Sequence, residues 1–251
     1  MLKTIVTGQP TEKTPLLIAH GLYGSARNWG VIAKRLSDTR QVVAVDMRNH
    51  GDSEWFTTHS YAELAEDMAT VINSFGGKMD VLGHSMGGKA AMVLGVNYPD
   101  NINRLVIADI APTIYSHTQI HLIDAMKSIN LNTIEKRLDA EVLLTPLVDL
   151  PDTRSFLLQS LDVKGKRWRL NLQVLAEEMG EIMGFPDLAG SFGGPALFLS
   201  GANSDYVKRE DRAQIKQLFP DAYFAKIPGA GHWLHAEKPR EFEAAVRVFL
   251  G

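Results

Sequence analysis

Gly83-His84-Ser85-Met86-Gly87 lies between a short apolar run, Met79-Asp80-Val81-Leu82, and a stretch of small and apolar residues, Gly88-Lys89-Ala90-Ala91-Met92-Val93-Leu94. The run reads as a buried strand and the stretch as a helix. Strand, sharp turn and helix around G-x-S-x-G form a nucleophile elbow, which lifts a serine hydroxyl clear of the end of a sheet. The glycines answer to sterics, because a Cβ at Gly83 or Gly87 would collide across so tight a turn. Five such letters also arise by chance in glycine-rich loops. The flanking strand and helix are what carry the reading.

Outward from the elbow, short apolar runs alternate with amphipathic stretches. This is the pattern of a mostly parallel sheet with helices on both faces, an α/β fold. Leu16–Ala19, Val42–Val45, Val81-Leu82, Leu105–Ala108 and Ala196–Leu199 are the strand candidates, and the first residues, Met1 to Gly8, read as a further strand. Ser60 with Glu63 makes a capping box for a helix that carries Tyr61, Leu64, Ala65, Met68, Val71, Ile72 and Phe75 on one face. That helix should stop at Gly76-Gly77. A last helix, about Pro239 to Leu250, buries Phe242, Val246, Phe249 and Leu250.

From about Thr113 to Gly190 the alternation breaks. Helical groupings follow one another (Ile120/Ile123/Met126, Ile134/Leu138/Val142, Phe156/Leu157/Leu161, Leu172/Leu175/Met179/Ile182) with no buried strand between them. An insertion this long sits outside the sheet. It leaves at the end of the strand that runs to Asp109, on the edge where Ser85 emerges, so a helical cap over the nucleophile is expected. The division is a core of residues 1–112 and 191–251 with a cap, or lid, of residues 113–190.

The 251 residues suit one large domain with an insertion, and a net charge of −3 offers no broad attraction to nucleic acid or anionic membrane. There is no cysteine, which excludes disulfides, thiolate metal sites and cysteine nucleophiles. The N-terminus lacks the long apolar core of a signal peptide, and no run approaches the roughly 20 apolar residues that span a bilayer. A soluble, cytoplasmic protein is expected, with its oligomeric state open.

A serine hydroxyl needs a base to take its proton and an acid to orient that base. Of eight histidines, His232 stands in a glycine-rich loop, Pro228-Gly229-Ala230-Gly231-His232-Trp233, that can carry an imidazole over the elbow. His20 and His84 read as wall or scaffold residues, and His50 as a residue that bonds the loops. His59, His117 and His121 have no supporting motif. His235, three residues beyond His232, lacks the companions a metal site requires, so no metal is expected. An oxyanion needs two backbone N–H groups. Met86, directly after the serine, offers one, and Leu22 in His20-Gly21-Leu22-Tyr23-Gly24 offers the other.

His20-Gly21, Asp46-x-Arg48-x-x-Gly51-x-Ser53, Gly83-His84-Ser85-Met86-Gly87-Gly88 and Gly229-Ala230-Gly231-His232 follow one another in the order and spacing of α/β-hydrolases, which the chain resembles. It is similar in particular to small bacterial esterases of the YbfF type. With these it shares Asp46-Met47-Arg48-Asn49-His50-Gly51, Asp109-Ile110-Ala111-Pro112 and Gly231-His232-Trp233-x-His235-Ala236-Glu237-Lys238-Pro239. The likeness runs from about Leu16 to the C-terminus and loosens within the cap. It implies hydrolysis of acyl esters, or of acyl-thioesters such as acyl-CoA, by a serine triad without a cofactor.

The acid has two candidates. Many relatives carry it three residues after the glycine that ends the later strand. Here Ser204 fills that place, and Asp205 comes one residue on, where it can equally cap a helix. Asp109 follows the strand after the elbow, and its string belongs to the YbfF-type likeness; its plainer use is a turn into Pro112. Asp109 is the choice and Asp205 the alternative.

The same triad serves carbon–carbon hydrolases and lyases, and a scaffold kept only to bind a ligand is a third reading. Aspartate at the elbow marks dehalogenases and epoxide hydrolases, so Ser85 argues against both. Lys164, Lys166, Arg167 and Arg169 surround Trp168 in the cap. Such a run is a solvated turn or a grip on the phosphates of an acyl carrier.

Overall fold

The computed structural model describes residues 1–251. Nine strands and eleven α-helices follow in chain order. The strands are β1 (Thr4–Thr7), β2 (Leu16–Ala19), β3 (Val42–Val45), β4 (Met79–His84), β5 (Ile102–Ala108), β6 (Leu161–Asp162), β7 (Arg167–Trp168), β8 (Ala196–Gly201) and β9 (Ala222–Ile227). The helices are α1 (Gly30–Leu36), α2 (Tyr61–Ser74), α3 (Met86–Asn97), α4 (Ile120–Ser128), α5 (Arg137–Leu144), α6 (Pro151–Leu158), α7 (Leu172–Glu177), α8 (Met179–Met183), α9 (Asp211–Leu218), α10 (Leu234–Glu237) and α11 (Pro239–Leu250). No helix is long and apolar enough to cross a membrane.

Seven strands form one sheet in the order β1-β3-β2-β4-β5-β8-β9, all parallel except β1, which pairs antiparallel with β3 at one edge. The mostly parallel α/β sheet expected from the sequence is present. Its inner strands β2, β3, β4, β5 and β8 are mostly apolar and buried because both faces are covered. Leu17, Val43, Val81, Leu105 and Phe198 pack on one face with α2 and α3, while Leu16, Val42, Leu82, Val106 and Leu197 pack on the other with α1 and α11. On α11, Phe242, Val246 and Leu250 recur every fourth residue and are buried, each contributing about 1.5–3 kcal/mol of apolar burial.

Local signals behave as their chemistry predicts. Ser60 and Glu63 complete the capping box of α2. Gly76 and Gly77 take φ of +97° and +84° directly after the helix, a conformation that favours glycine.

Residues 113–190 add α4 to α8 and no strand to the large sheet, and they leave the core just after β5. Three expectations here need correction. Ile134 precedes α5 rather than joining it, and Leu138 and Val142 on that helix are exposed, Ala140 and Leu144 being the buried residues instead. Leu161 is not helical: it pairs with Trp168 in a two-residue antiparallel ribbon, β6–β7, with both side chains buried. The grouping from Leu172 to Ile182 is two short helices that break at Glu178. Strands of two residues have no period to read, and the apolar spacing runs unbroken through the break.

Candidate active site

Strand register sets the site. His84 on β4 pairs with Ala108 on β5, so the next residues, Ser85 and Asp109, leave the sheet side by side. The Ser85 N–H donates to Ala108 O at 3.1 Å and the Asp109 N–H to Leu199 O at 2.9 Å, which extends both ladders by one bond. Both residues then turn sharply, with φ of +53° and +51°. Such backbone costs about 1–3 kcal/mol per residue and persists where the surroundings over-determine it. They do at the elbow: a Cβ on Gly83 would overlap the Gly87 carbonyl, and one on Gly87 would lie 2.5 Å from the carbonyl oxygens of Ala19 and His20. His84 and Met86 are buried on either side, while Ser85 is partly exposed. The turn presents the serine and little else.

His232 lies in the loop between β9 and α10. Its Nδ1–H donates to Asp109 Oδ2 at 2.8 Å, which leaves Nε2 for proton exchange. Asp109 is fully buried, and its other oxygen accepts the Gly201 N–H at 3.0 Å. Ser204 Oγ donates to the same Oδ2 that His232 engages. The carboxylate is thus held by three donors. Tyr206 stacks on the His232 ring with centroids 3.9 Å apart, and His84 donates through Nε2 to the His232 carbonyl at 2.8 Å.

Asp205 is exposed, and no hydrogen bond joins it to His232. Nor does it cap a helix: α9 begins only at Asp211, whose carboxylate accepts the Lys208 N–H at 2.7 Å. Sequence reasoning left Ser204 and Tyr206 without roles. The one available signal was that Ser204 fills the position where many relatives carry their acid.

The N–H groups of Leu22 and Met86 donate to no protein acceptor. Met86 is the first residue of α3, where helical N–H groups point outward and the dipole favours negative charge. Leu22 is held through its neighbours. The Gly24 N–H donates to Gly21 O at 3.0 Å, and the Tyr23 N–H donates to His50 Nε2 at 3.2 Å. His50 in turn donates through Nδ1 to Arg48 O at 2.9 Å, and His20 accepts the Met47 N–H at 2.9 Å while donating to Gly21 O at 2.8 Å. Both imidazoles act as neutral, two-ended spacers behind the loop.

Ser85, His232, Leu22 and Met86 line one cavity of about 460 Å³, walled by Tyr61, Ile110 and Phe156 among others. Its outer lining comes from the insertion, including Leu147, Val148, Leu150 and Ile182. Lys89, four residues after Ser85, is buried in its wall. The ammonium donates to the carbonyls of Met183, at 3.0 Å, and Gly184 at the end of α8, and it lies 4.7 Å above the Tyr115 ring. Burial pulls its pKa down to about 7. Tyr61 OH adds a bond to Ile182 O at 2.6 Å, so three carbonyls at the end of α8 are pinned to the core.

Five histidines are buried around the site, and burial lowers each: His20 to about 4, His50 to about 3, His59 to about 2, His235 to about 3, and His84 well below the ordinary value. The unfolded chain takes up these protons near pH 6.5 and the native state does not. Stability is therefore full above that pH and falls as the pH drops toward the native values. Each histidine withdraws on the order of 1 kcal/mol between pH 6.5 and 5.5. Urea unfolding midpoints should accordingly fall steeply across pH 6.5–5, above the range where carboxylates contribute. His235 stacks on Trp29 at 4.1 Å and leaves Nδ1 without a partner. His235→Phe should flatten the slope by about one proton; an unchanged slope would contradict the assignment.

Residues 14–239 match the family described as alpha/beta hydrolase fold. The chain is 40% identical to the sn-1-specific diacylglycerol lipase ABHD11 of Mus musculus, over 94% of this chain and 80% of that protein. It is 36% identical to Esterase YbfF of Escherichia coli, over 95% of this chain and 94% of the relative. A solved structure titled "Marine microorganism esterase" superposes with a TM-score of 0.93 at 39% identity, covering 99% of this chain and 98% of the other. The chain belongs to the alpha/beta hydrolase fold family, among its carboxylic ester hydrolases.

Proposed function

We propose that the protein hydrolyses acyl esters through an acyl-enzyme on Ser85, with His232 as base, Asp109 as its orienting acid and the N–H groups of Leu22 and Met86 as the oxyanion hole. The observation that carries this reading is the 2.8 Å contact of buried Asp109 Oδ2 with His232 Nδ1, His232 lining the cavity that Ser85 also lines. His232 Nε2 takes the Ser85 proton as Oγ attacks the acyl carbonyl. The tetrahedral oxyanion collapses, and His232 returns the proton to the departing alcohol. Water, deprotonated by the same imidazole, then attacks the acyl group, releases the carboxylic acid and restores the serine. Asp109 remains ionised and stabilises the imidazolium formed in each half-reaction. A thiol leaving group departs by the same steps, so acyl-thioesters fall within the proposal.

Residues 113–190 act here as the lid. Their leucines and isoleucines line the outer cavity, which suits the hydrocarbon of an acyl group. Lys89 and Tyr61 fasten the end of α8 to the core and keep that wall closed over Ser85.

The test is a pH profile of kcat/KM with an activated ester. It should rise as His232 loses its proton, because only the neutral imidazole accepts the serine proton. Burial holds His84 and His235 neutral well below the ordinary imidazole range, so His84→Ala and His235→Ala should keep the rise. Lys89, pulled down to about 7 by burial, also changes charge near neutral pH, and Lys89→Met separates its contribution. His232→Ala should lose the rise together with about 10³-fold or more of the turnover. A profile abolished by Lys89→Met and retained by His232→Ala would overturn the assignment of the base.

A further inference from the structure

The basic run in the insertion borders a second concavity. The β6–β7 ribbon and the start of α5 enclose about 390 Å³ lined by Arg27, Lys136, Arg137, Lys164 and Arg169, against two carboxylates, Glu135 and Asp162. Asp162 is already engaged. It accepts the Gly165 N–H at 3.0 Å and lies 3.4 Å from both Arg167 and Arg169, contacts that hold its carboxyl below the usual range. Asp52 accepts from the other terminal nitrogen of Arg169, at 2.8 Å, and sits 3.5 Å from Arg27. Lys136, Arg137 and Lys164 are exposed and pair with no carboxylate; Arg137 donates only to Leu161 O, at 3.3 Å. These three cations form no close ion pair, and Glu135 is the one lining carboxylate left to face them, so positive charge is in excess in this hollow of a chain whose net charge is −3. Scattered surface lysines need no explanation. Cations gathered in a concave surface repel one another and raise the local concentration of anions.

The position of this hollow adds to its composition. Arg27 lines it, and the next residue, Asn28, lines the cavity of Ser85. Asn28 hydrogen-bonds Gln159, which lines the basic hollow. Phe156, on α6, faces the catalytic cavity one helical turn before Gln159. A single wall therefore separates the two spaces.

We propose that the hollow of Lys136, Arg137 and Lys164 is a phosphate-binding subsite for the leaving group of the acyl substrate. The inference rests on the ester-hydrolase reading and specifies its substrate class. Guanidinium and ammonium groups in a shared concavity suit phosphate or diphosphate oxygens, which accept several charge-assisted bonds at once. Two kinds of molecule carry such a group on the leaving group of an acyl bond: a nucleotide-bearing thioester carrier, at the far end of its arm, and an acylated glycerol phosphate.

The experiment compares wild type with K136Q/R137Q/K164Q on three substrates of one acyl chain: a neutral short-alcohol ester, the coenzyme A thioester and the acyl glycerol phosphate. At low ionic strength, KM for one or both phosphorylated substrates should rise about tenfold in the variant, with kcat and the neutral ester unchanged. Added salt should shrink the difference, and inorganic pyrophosphate should raise KM for the phosphorylated substrate in wild type alone. The phosphorylated substrate that responds identifies the source. K164E is a second variant and should shift KM in the same direction. An equal change on the neutral ester, or no change on any substrate, would overturn the subsite. So would a wild type that does not prefer a phosphorylated substrate. Turnover of the neutral ester, and its loss in Ser85→Ala, tests the underlying reading separately.

Discussion

Ser85→Ala should lower ester turnover by roughly four to six orders of magnitude while leaving the protein folded. In the proposed mechanism the substitution removes the attacking oxygen, and with it the route through an acyl-enzyme. Only binding and the oxyanion stabilisation proposed for Leu22 and Met86 would then remain. The side chain itself makes no hydrogen bond that holds the fold: the elbow is closed through its backbone, with the Ser85 N–H on Ala108 O and the Ser85 carbonyl accepting the Lys89 N–H at 3.0 Å. Alanine keeps both bonds. Thermal melting should shift by no more than a few degrees. A purified, folded variant that retains a tenth of wild-type turnover would contradict the role given to Ser85.

Asp109→Asn is the second large effect, at roughly four orders of magnitude in turnover. The asparagine side chain has the same shape but no charge to stabilise the imidazolium, and its amide competes with the His232 Nδ1–H for the same space. The tautomer that offers Nε2 as acceptor is then no longer favoured. Gly201 N–H would still find the remaining carbonyl oxygen, and the Ser204 hydroxyl can turn to accept from the amide, so the loss should appear in turnover before it appears in folding. Asp205→Asn should cost at most a few-fold, since that residue is exposed and holds neither His232 nor a helix end. Measured side by side with one activated ester, a severe loss at Asp205 and a mild one at Asp109 would reverse the assignment.

What the sequence disclosed depended on whether the determining chemistry was local. The elbow is local: a strand, two glycines and a helix within about a dozen residues enforce a turn that no other residue types tolerate. The capping box of Ser60 and Glu63, the stop at Gly76-Gly77 and the four-residue spacing on α11 are local in the same sense. The insertion was legible as a break in alternation, but its β6–β7 ribbon was not, because its two-residue strands are held by burial of Leu161 and Trp168. The choice of acid was ambiguous for a related reason. Asp109 meets His232 only through the register of β4, β5 and β8 and the return of the loop after β9, pairings that join residues up to 123 positions apart. The five buried histidines were harder still. A histidine in a loop looks the same in sequence whether it carries protons in catalysis, as proposed for His232, or is a neutral spacer like His20 and His50.

The most direct test of the account is covalent capture of the nucleophile. An activated alkyl phosphonate that mimics the tetrahedral intermediate should add once to the native protein, and mass spectrometry of the digest should find the adduct on the peptide that contains Ser85. Labelling should be slowed in His232→Ala and Asp109→Asn and absent in Ser85→Ala, since the same base and acid that speed ester attack also speed phosphonylation. A protein that hydrolyses esters yet carries the adduct on another residue, or that turns over unimpaired after exposure to the phosphonate, would contradict it.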